Sequence, residues 1–91
     1  MAITVHFSTP LLKATENNNK LILEGKTVKE INERICHRFQ SFKDIIYDST
    51  GGIKKVINIY VNDDDIRSLA GEDTPLKDGD EVSFIPTIAG G

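Results

Sequence analysis

Tryptophan is absent from this sequence, and cysteine and methionine occur once each. With Cys36 as the single thiol, an intrachain disulfide framework and a cysteine-based metal cluster are both excluded. A reducing cytoplasm is the simplest setting for such a chain. The histidines number two, His6 and His37, and lie far apart in sequence. Two scattered imidazoles make a poor start for a metal site, so no metal is expected. No apolar run approaches the roughly 18 residues that a membrane span needs. Met1-Ala2-Ile3-Thr4 lacks the basic stretch and apolar segment of a secretory signal, so none is expected.

What is present is an ordinary globular composition. Hydrophobic residues make up 38% of the 91, and the seven glycines bring the apolar share near the globular norm. That length allows one domain with a modest core. The net charge of −3 conceals an asymmetry. Residues 1–62 hold nine Lys/Arg against six Asp/Glu, whereas residues 63–91 hold two against eight. The last third therefore reads as an acidic region from which the C-terminus emerges. Such a field disfavours nucleic acid and steers the chain toward a basic partner surface, or else it serves only as a solvated loop.

Periodicity orders the elements. Ile3, Val5 and Phe7 alternate with Thr4 and His6, which predicts a half-buried strand over Ala2 to Phe7. Ser8 to Asn19 is polar and reads as a loop. Lys20 to Glu24 predicts a second strand, closed by Gly25. Thr27 and Glu30 have capping-box spacing, and Val28, Ile31, Ile35 and Phe39 follow as one helical stripe. The helix is expected to stop near Phe39 to Ser41. Phe42 to Asp48 either extends it or forms a short apolar turn. Ser49 to Lys55 reads as a loop around Gly51-Gly52. Val56 to Asn62 is the clearest strand, with Ile57, Ile59 and Val61 on one face. Asp63 to Asp80 is an acidic connection with room for a helical turn near Ile66 to Leu69. After the Asp78-Gly79 turn, Glu81 to Ile85 is the last strand, Val82 and Phe84 inward. Pro86 is expected to end regular pairing.

Strand, strand, helix, strand, strand is the order of an α+β protein in which one amphipathic helix covers one face of a sheet. It is the arrangement of the β-grasp (ubiquitin-like) roll, with a mixed sheet of four to five strands. Residues 1–86 form the expected domain, and 87–91 a flexible tail. Fully extended, Thr87 to Gly91 reaches about 17–18 Å, enough to enter a partner's active site while the body stays outside. Thr87, Ile88, Ala89 and Gly90 would line that entry, and glycine passes a narrow channel most easily. The terminal carboxylate of Gly91 is ionised at neutral pH and is a poor electrophile. Adenylation by ATP supplies a leaving group, and sulfide or a persulfide then displaces AMP to give a thiocarboxylate. No side-chain constellation here performs such activation, so it would fall to a separate protein.

Asn58-Ile59-Tyr60-Val61-Asn62, Asp65-Ile66-Arg67, Leu76-Lys77-Asp78-Gly79-Asp80-Glu81-Val82 and Ile85-Pro86-Thr87-Ile88-Ala89-Gly90-Gly91 together resemble the ThiS/MoaD-type sulfur carriers. The pattern is most similar to the branch that carries sulfur for cysteine synthesis. The resemblance implies that Gly91 is adenylated by an E1-like (MoeB/ThiF-type) enzyme using ATP and Mg, then thiocarboxylated. It implies delivery of the sulfur to a PLP-dependent cysteine synthase. In other branches the acceptor is the molybdopterin synthase large subunit or a thiazole synthase. Some relatives carry residues after the Gly-Gly that a protease removes; this sequence ends at Gly91 and is expected to need none. No cofactor of its own, no nucleic acid and no membrane are implied.

Three readings remain open from sequence: a sulfur carrier, a ubiquitin-like modifier joined through Gly91 to lysines, and an interaction module. An independent enzyme finds no support. Partner-binding candidates are Tyr60 and Ile85, as an exposed patch or a plain cross-strand contact, together with Asp63, Asp64 and Asp65. Cys36 lies at the edge of the helical core stripe and reads as a structural thiol. Asp63, Asp65 and Glu72 mimic part of a calcium loop, but Arg67 and Ser68 stand where a ligand and a glycine belong. Gly51 to Lys55 lacks the spacing of a phosphate loop.

Overall fold

The structure, a computed structural model, describes residues 1–87. Its strands are β1 (Ala2–Phe7), β2 (Lys20–Glu24), β3 (Ile57–Val61), β4 (Asp64–Asp65) and β5 (Glu81–Pro86). The helices are α1 (Val28–Arg38) and α2 (Phe42–Ile46), and 3₁₀ turns occupy Thr9–Leu11, Ile66–Ser68 and Gly71–Asp73. The sheet has five strands in the order β2-β1-β5-β3-β4. β1 and β5 run parallel, and every other neighbour pair is antiparallel. This is the expected mixed sheet with one main helix on one face.

The alternation read from sequence is the alternation that packs. Ile3, Val5 and Phe7 of β1, Ile57, Ile59 and Val61 of β3, and Val82 and Phe84 of β5 all face the core. α1 contributes Val28, Ile31 and Ile35 from the opposite side. Phe7, Phe42 and Phe84 meet at centroid separations of 5.3–5.5 Å, two pairs edge-to-face and one stacked. Such aromatic contacts add about 0.5–1.5 kcal/mol each beyond the area they bury. Thr27 caps α1 as its spacing predicts, its hydroxyl accepting from the Glu30 amide at 3.2 Å. Glu30 reaches back one residue further, to the Lys26 amide at 3.0 Å.

Four details differ from the sequence reading. Phe42 to Ile46 neither extends α1 nor forms a turn. It is a separate helix, because Phe39 leaves α1 in an extended conformation (φ −125°, ψ 94°). The polar Ser8 to Asn19 segment is not purely a surface loop: Leu11, Ala14 and Thr15 are buried in it. The Thr15 hydroxyl donates to the Asn18 carbonyl at 2.8 Å, and Asn18 Nδ2 returns a bond of 2.8 Å, so the burial is satisfied. Asp64–Asp65 is a short edge strand formed by a two-residue hairpin after Val61, with Asn62 in the left-handed region at φ 56°.

The fourth difference concerns Pro86. Pairing does not stop before it: Pro86 lies opposite Ile57 in the β3–β5 ladder. Antiparallel pairs alternate between bonded and non-bonded positions. The next bonded pair is Val56 with Thr87, whose amide donates to the Val56 carbonyl at 2.5 Å. Pro86 thus sits at a non-bonded pair, where its missing N–H costs this ladder nothing.

Candidate functional site

The end of β5 is where the sequence placed the chemistry, and β3 is what holds it. Glycines 90 and 91, with Ile88 and Ala89, lie outside the described residues. Thr87 is described, and it does not project freely from the body as expected. Besides its ladder bond, its Oγ1 accepts from Asn58 Nδ2 at 2.8 Å. Asn58 Oδ1 in turn accepts from Arg67 Nη1 at 2.8 Å. Arg67 Nη2 donates to the Ile57 carbonyl at 2.7 Å and the Lys55 carbonyl at 3.3 Å. Asp65 completes the set: one oxygen accepts from the Arg67 amide at 2.8 Å and the other from Nη1 at 3.5 Å.

Arg67 stands there for a local reason. Asp65 caps the 3₁₀ turn Ile66–Ser68, and β4 pairs only Tyr60 and Val61 of β3. The carbonyl of Ile57 on that edge is left without a strand partner. A guanidinium forks across two such oxygens, as an ammonium does not. Neither Asn58 nor Arg67 stood out as a site residue from sequence. The available signal was Asn58 itself, an outward asparagine inside a strand of Ile, Tyr and Val, where asparagine is disfavoured.

The candidate docking residues divide. Tyr60 and Ile85 lie on the sheet face opposite α1, diagonally placed on adjacent strands, Tyr60 opposite Ser83 and Ile85 opposite Asn58. Tyr60 is half-buried and Ile85 is 44% exposed. Asp65 is half-buried and committed to Arg67. Asp63 and Asp64 are exposed, but they are not beside the tail. Because β3 and β5 are antiparallel, the β3–β4 turn adjoins the start of β5, where Asn62 bonds Asp80 at 3.2 Å and Glu81 at 2.7 and 3.1 Å. Thr87 leaves at the other end of that strand, about 20 Å away for six residues. The expectation that the tail emerges from the acidic region is therefore corrected: its root is linked through Asn58 to Arg67, which is itself paired with Asp65.

Other titratable groups are structural in their surroundings. Burial pushes the Cys36 thiol above its usual range, with nearby Glu72 and Glu33 adding to the shift and Lys43 opposing it. The Tyr47 phenol is likewise raised, first by burial and then by its hydrogen bond to Glu72. That bond, 2.5 Å, and one of 3.0 Å from Asn32 Nδ2 converge on the same Glu72 oxygen, tying α1 to the loops beyond both helices. Asp48 accepts from the Thr50 amide at 2.8 Å, its hydroxyl at 2.5 Å and the Gly52 amide at 3.1 Å. The Gly51-Gly52 loop is thus organised around a carboxylate of its own chain and does not present these amides to a phosphate. Among the described residues, no cluster of three His, Cys, Asp or Glu side chains is arranged to hold a metal ion, and no helix is long and apolar enough to cross a membrane.

A model of the ThiS family matches residues 5–91. The chain belongs to the ThiS family. This ThiS-family chain is 31% identical over 93 aligned positions to the sulfur carrier protein CysO of Mycobacterium tuberculosis, with the whole of both chains covered. It is 44% identical over 83 positions to a putative sulfur carrier protein of Archaeoglobus fulgidus, covering 88% of this chain and 93% of that one. Among solved structures, a chain of the Amycolatopsis orientalis BexX/CysO complex superposes with a TM-score of 0.89 at 33% identity, covering 99% of this chain and all of that one.

Proposed function

We propose that this ThiS-family protein is a sulfur carrier whose reactive group is the Gly91 carboxylate, and that it serves other enzymes as a protein co-substrate. The observation that carries the reading is the family match through Gly91, joined to likeness over the full length to a sulfur carrier protein. The chemistry balances in two steps. The carboxylate attacks the α-phosphorus of ATP held by an adenylating enzyme, releasing pyrophosphate. Hydrosulfide then attacks the acyl carbon and expels AMP, leaving a thiocarboxylate and one proton. The ATP and Mg belong to the adenylating enzyme. Thr87 is the root of the arm, and Ile88 to Gly91 enter the partner's site while the Tyr60 and Ile85 face meets its surface. The cytoplasm, where ATP and sulfide donors are at hand, is the proposed location.

The acceptor in this reading is a PLP-dependent cysteine synthase acting on an activated serine, in keeping with the likeness to CysO. Incubation with an adenylating enzyme, ATP and sulfide tests the first half. The expected result is an intact-mass gain equal to one oxygen replaced by sulfur, absent when Gly91 is deleted from an otherwise folded chain. No gain with any adenylating enzyme sinks the reading, and an isopeptide bond to lysines would make the protein a modifier instead. Adding the synthase and activated serine tests the second half. The thiocarboxylate sulfur should displace the leaving group of the serine, giving a protein–cysteine adduct joined through the Gly91 acyl carbon and read by intact mass. Hydrolysis of that acyl bond then frees cysteine and restores the carboxylate.

A further inference from the structure

We propose that Asn58 and Arg67 are positioning residues for the C-terminal arm. They hold Thr87 in the sheet, so that the arm delivering Gly91 begins at residue 88. The inference rests on the sulfur-carrier reading and adds to it the part of the body that aims the tail.

Among the described residues, the Thr87–Val56 bond is the last in the β3–β5 ladder, and terminal ladder bonds are the first to open. Asn58 supplies Thr87 with a second bond on the open face. The direction of that bond is not free. A guanidinium only donates, so Arg67 requires the Asn58 carbonyl oxygen to face it. The amide nitrogen of Asn58 must then face Thr87. Arg67 is itself fixed by the Ile57 and Lys55 carbonyls and by Asp65. The bridge from Asp65 through Arg67 and Asn58 to Thr87 therefore transmits order from the sheet edge to the root of the arm. An arm starting at residue 88 reaches at most about 13–14 Å, against about 17–18 Å from residue 87. A fixed origin on a shorter tether bounds how far from the body the carboxylate can lie and raises its concentration at the partner's reacting centre.

Two substitutions of Asn58 in the full chain provide the test. Asn58→Leu keeps the size and removes both bonds. Asn58→Asp still accepts from Arg67 and takes the Thr87 hydroxyl as donor. Two quantities are read: amide hydrogen exchange at Thr87, with Ile59 and Phe84 as internal references, and kcat and KM of thiocarboxylation followed by intact mass. For Asn58→Leu, Thr87 exchange should rise about five- to tenfold with Ile59 and Phe84 unchanged. Its kcat should fall about fivefold while KM moves less than about twofold. Asn58→Asp should restore both. Faster Thr87 exchange with kcat unchanged overturns the positioning role and leaves the carrier reading standing. So does an Asn58→Asp variant as slow as Asn58→Leu, or a parallel rise at Ile59 and Phe84. A wild-type chain that gains no sulfur overturns both readings together.

Discussion

Asp48 shows how one carboxylate organises a loop that the sequence leaves formless. Hydrogen bonds from the Thr50 hydroxyl and amide, then from the Gly52 and Gly51 amides, outweigh desolvation and hold its pKa below the ordinary value of 3.8. A carboxylate depressed in the folded state contributes order that is complete above its unfolded value and is lost as pH falls through the folded one. The Thr50 and Gly52 amide resonances should therefore be constant from neutral pH down to about 5 and shift together below 3.8. Asp48→Asn should remove that shift, and an NMR pH titration of both proteins reads it. Cys36 behaves in the opposite sense. Its raised thiol stays protonated at neutral pH, which agrees with the structural role read from its place on the helix.

At the scale of elements, the junction between β2 and α1 is set by contact. A Cβ on Gly25 would lie 2.8 Å from Ile31 Cδ1 and 3.1 Å from Cγ1. Ile31 is fully buried under the sheet and has little room to withdraw. Gly25→Ala should lower stability by about 1–3 kcal/mol, read as a lower denaturation midpoint at unchanged slope, and Ile31→Val in the same chain should recover part of it.

β1 and β3 were legible because Ile3-Val5-Phe7 and Ile57-Ile59-Val61 alternate without interruption, and α1 because its stripe follows a capping box. The boundary between α1 and α2 was not legible: Phe39 and Phe42 are three apart and fit a continuing helix as well as a broken one. Burial of Leu11, Ala14 and Thr15 escaped detection because the segment has neither period and its polar groups are satisfied internally. The outward placement of Tyr60 and Ile85 was readable from alternation alone. The bridge through Arg67 was not, since it depends on β4 being too short to pair with Ile57.

Over the whole molecule, the charge asymmetry of the sequence becomes a separation in space. The acidic β3–β4 turn and the start of β5 lie at one end of the sheet, and the tail root at the other. A partner that receives the tail and also reads the acidic turn must lie along the open face for about 20 Å. Asp63→Asn with Asp64→Asn should slow association with the adenylating enzyme several-fold at low salt, an effect that shrinks as ionic strength rises, and leave kcat unchanged. Stopped-flow association across a salt series measures it. Rates equal to wild type at every salt concentration would make the turn a solvated loop.

The position of β5 has a mechanical consequence. It is the central strand, bonded to β1 on one side and β3 on the other. Tension drawn through the tail runs along that strand, so the hydrogen bonds to both neighbours are loaded in shear together and not peeled one at a time. A machine that threads and pulls on this terminus therefore works against both ladders at once.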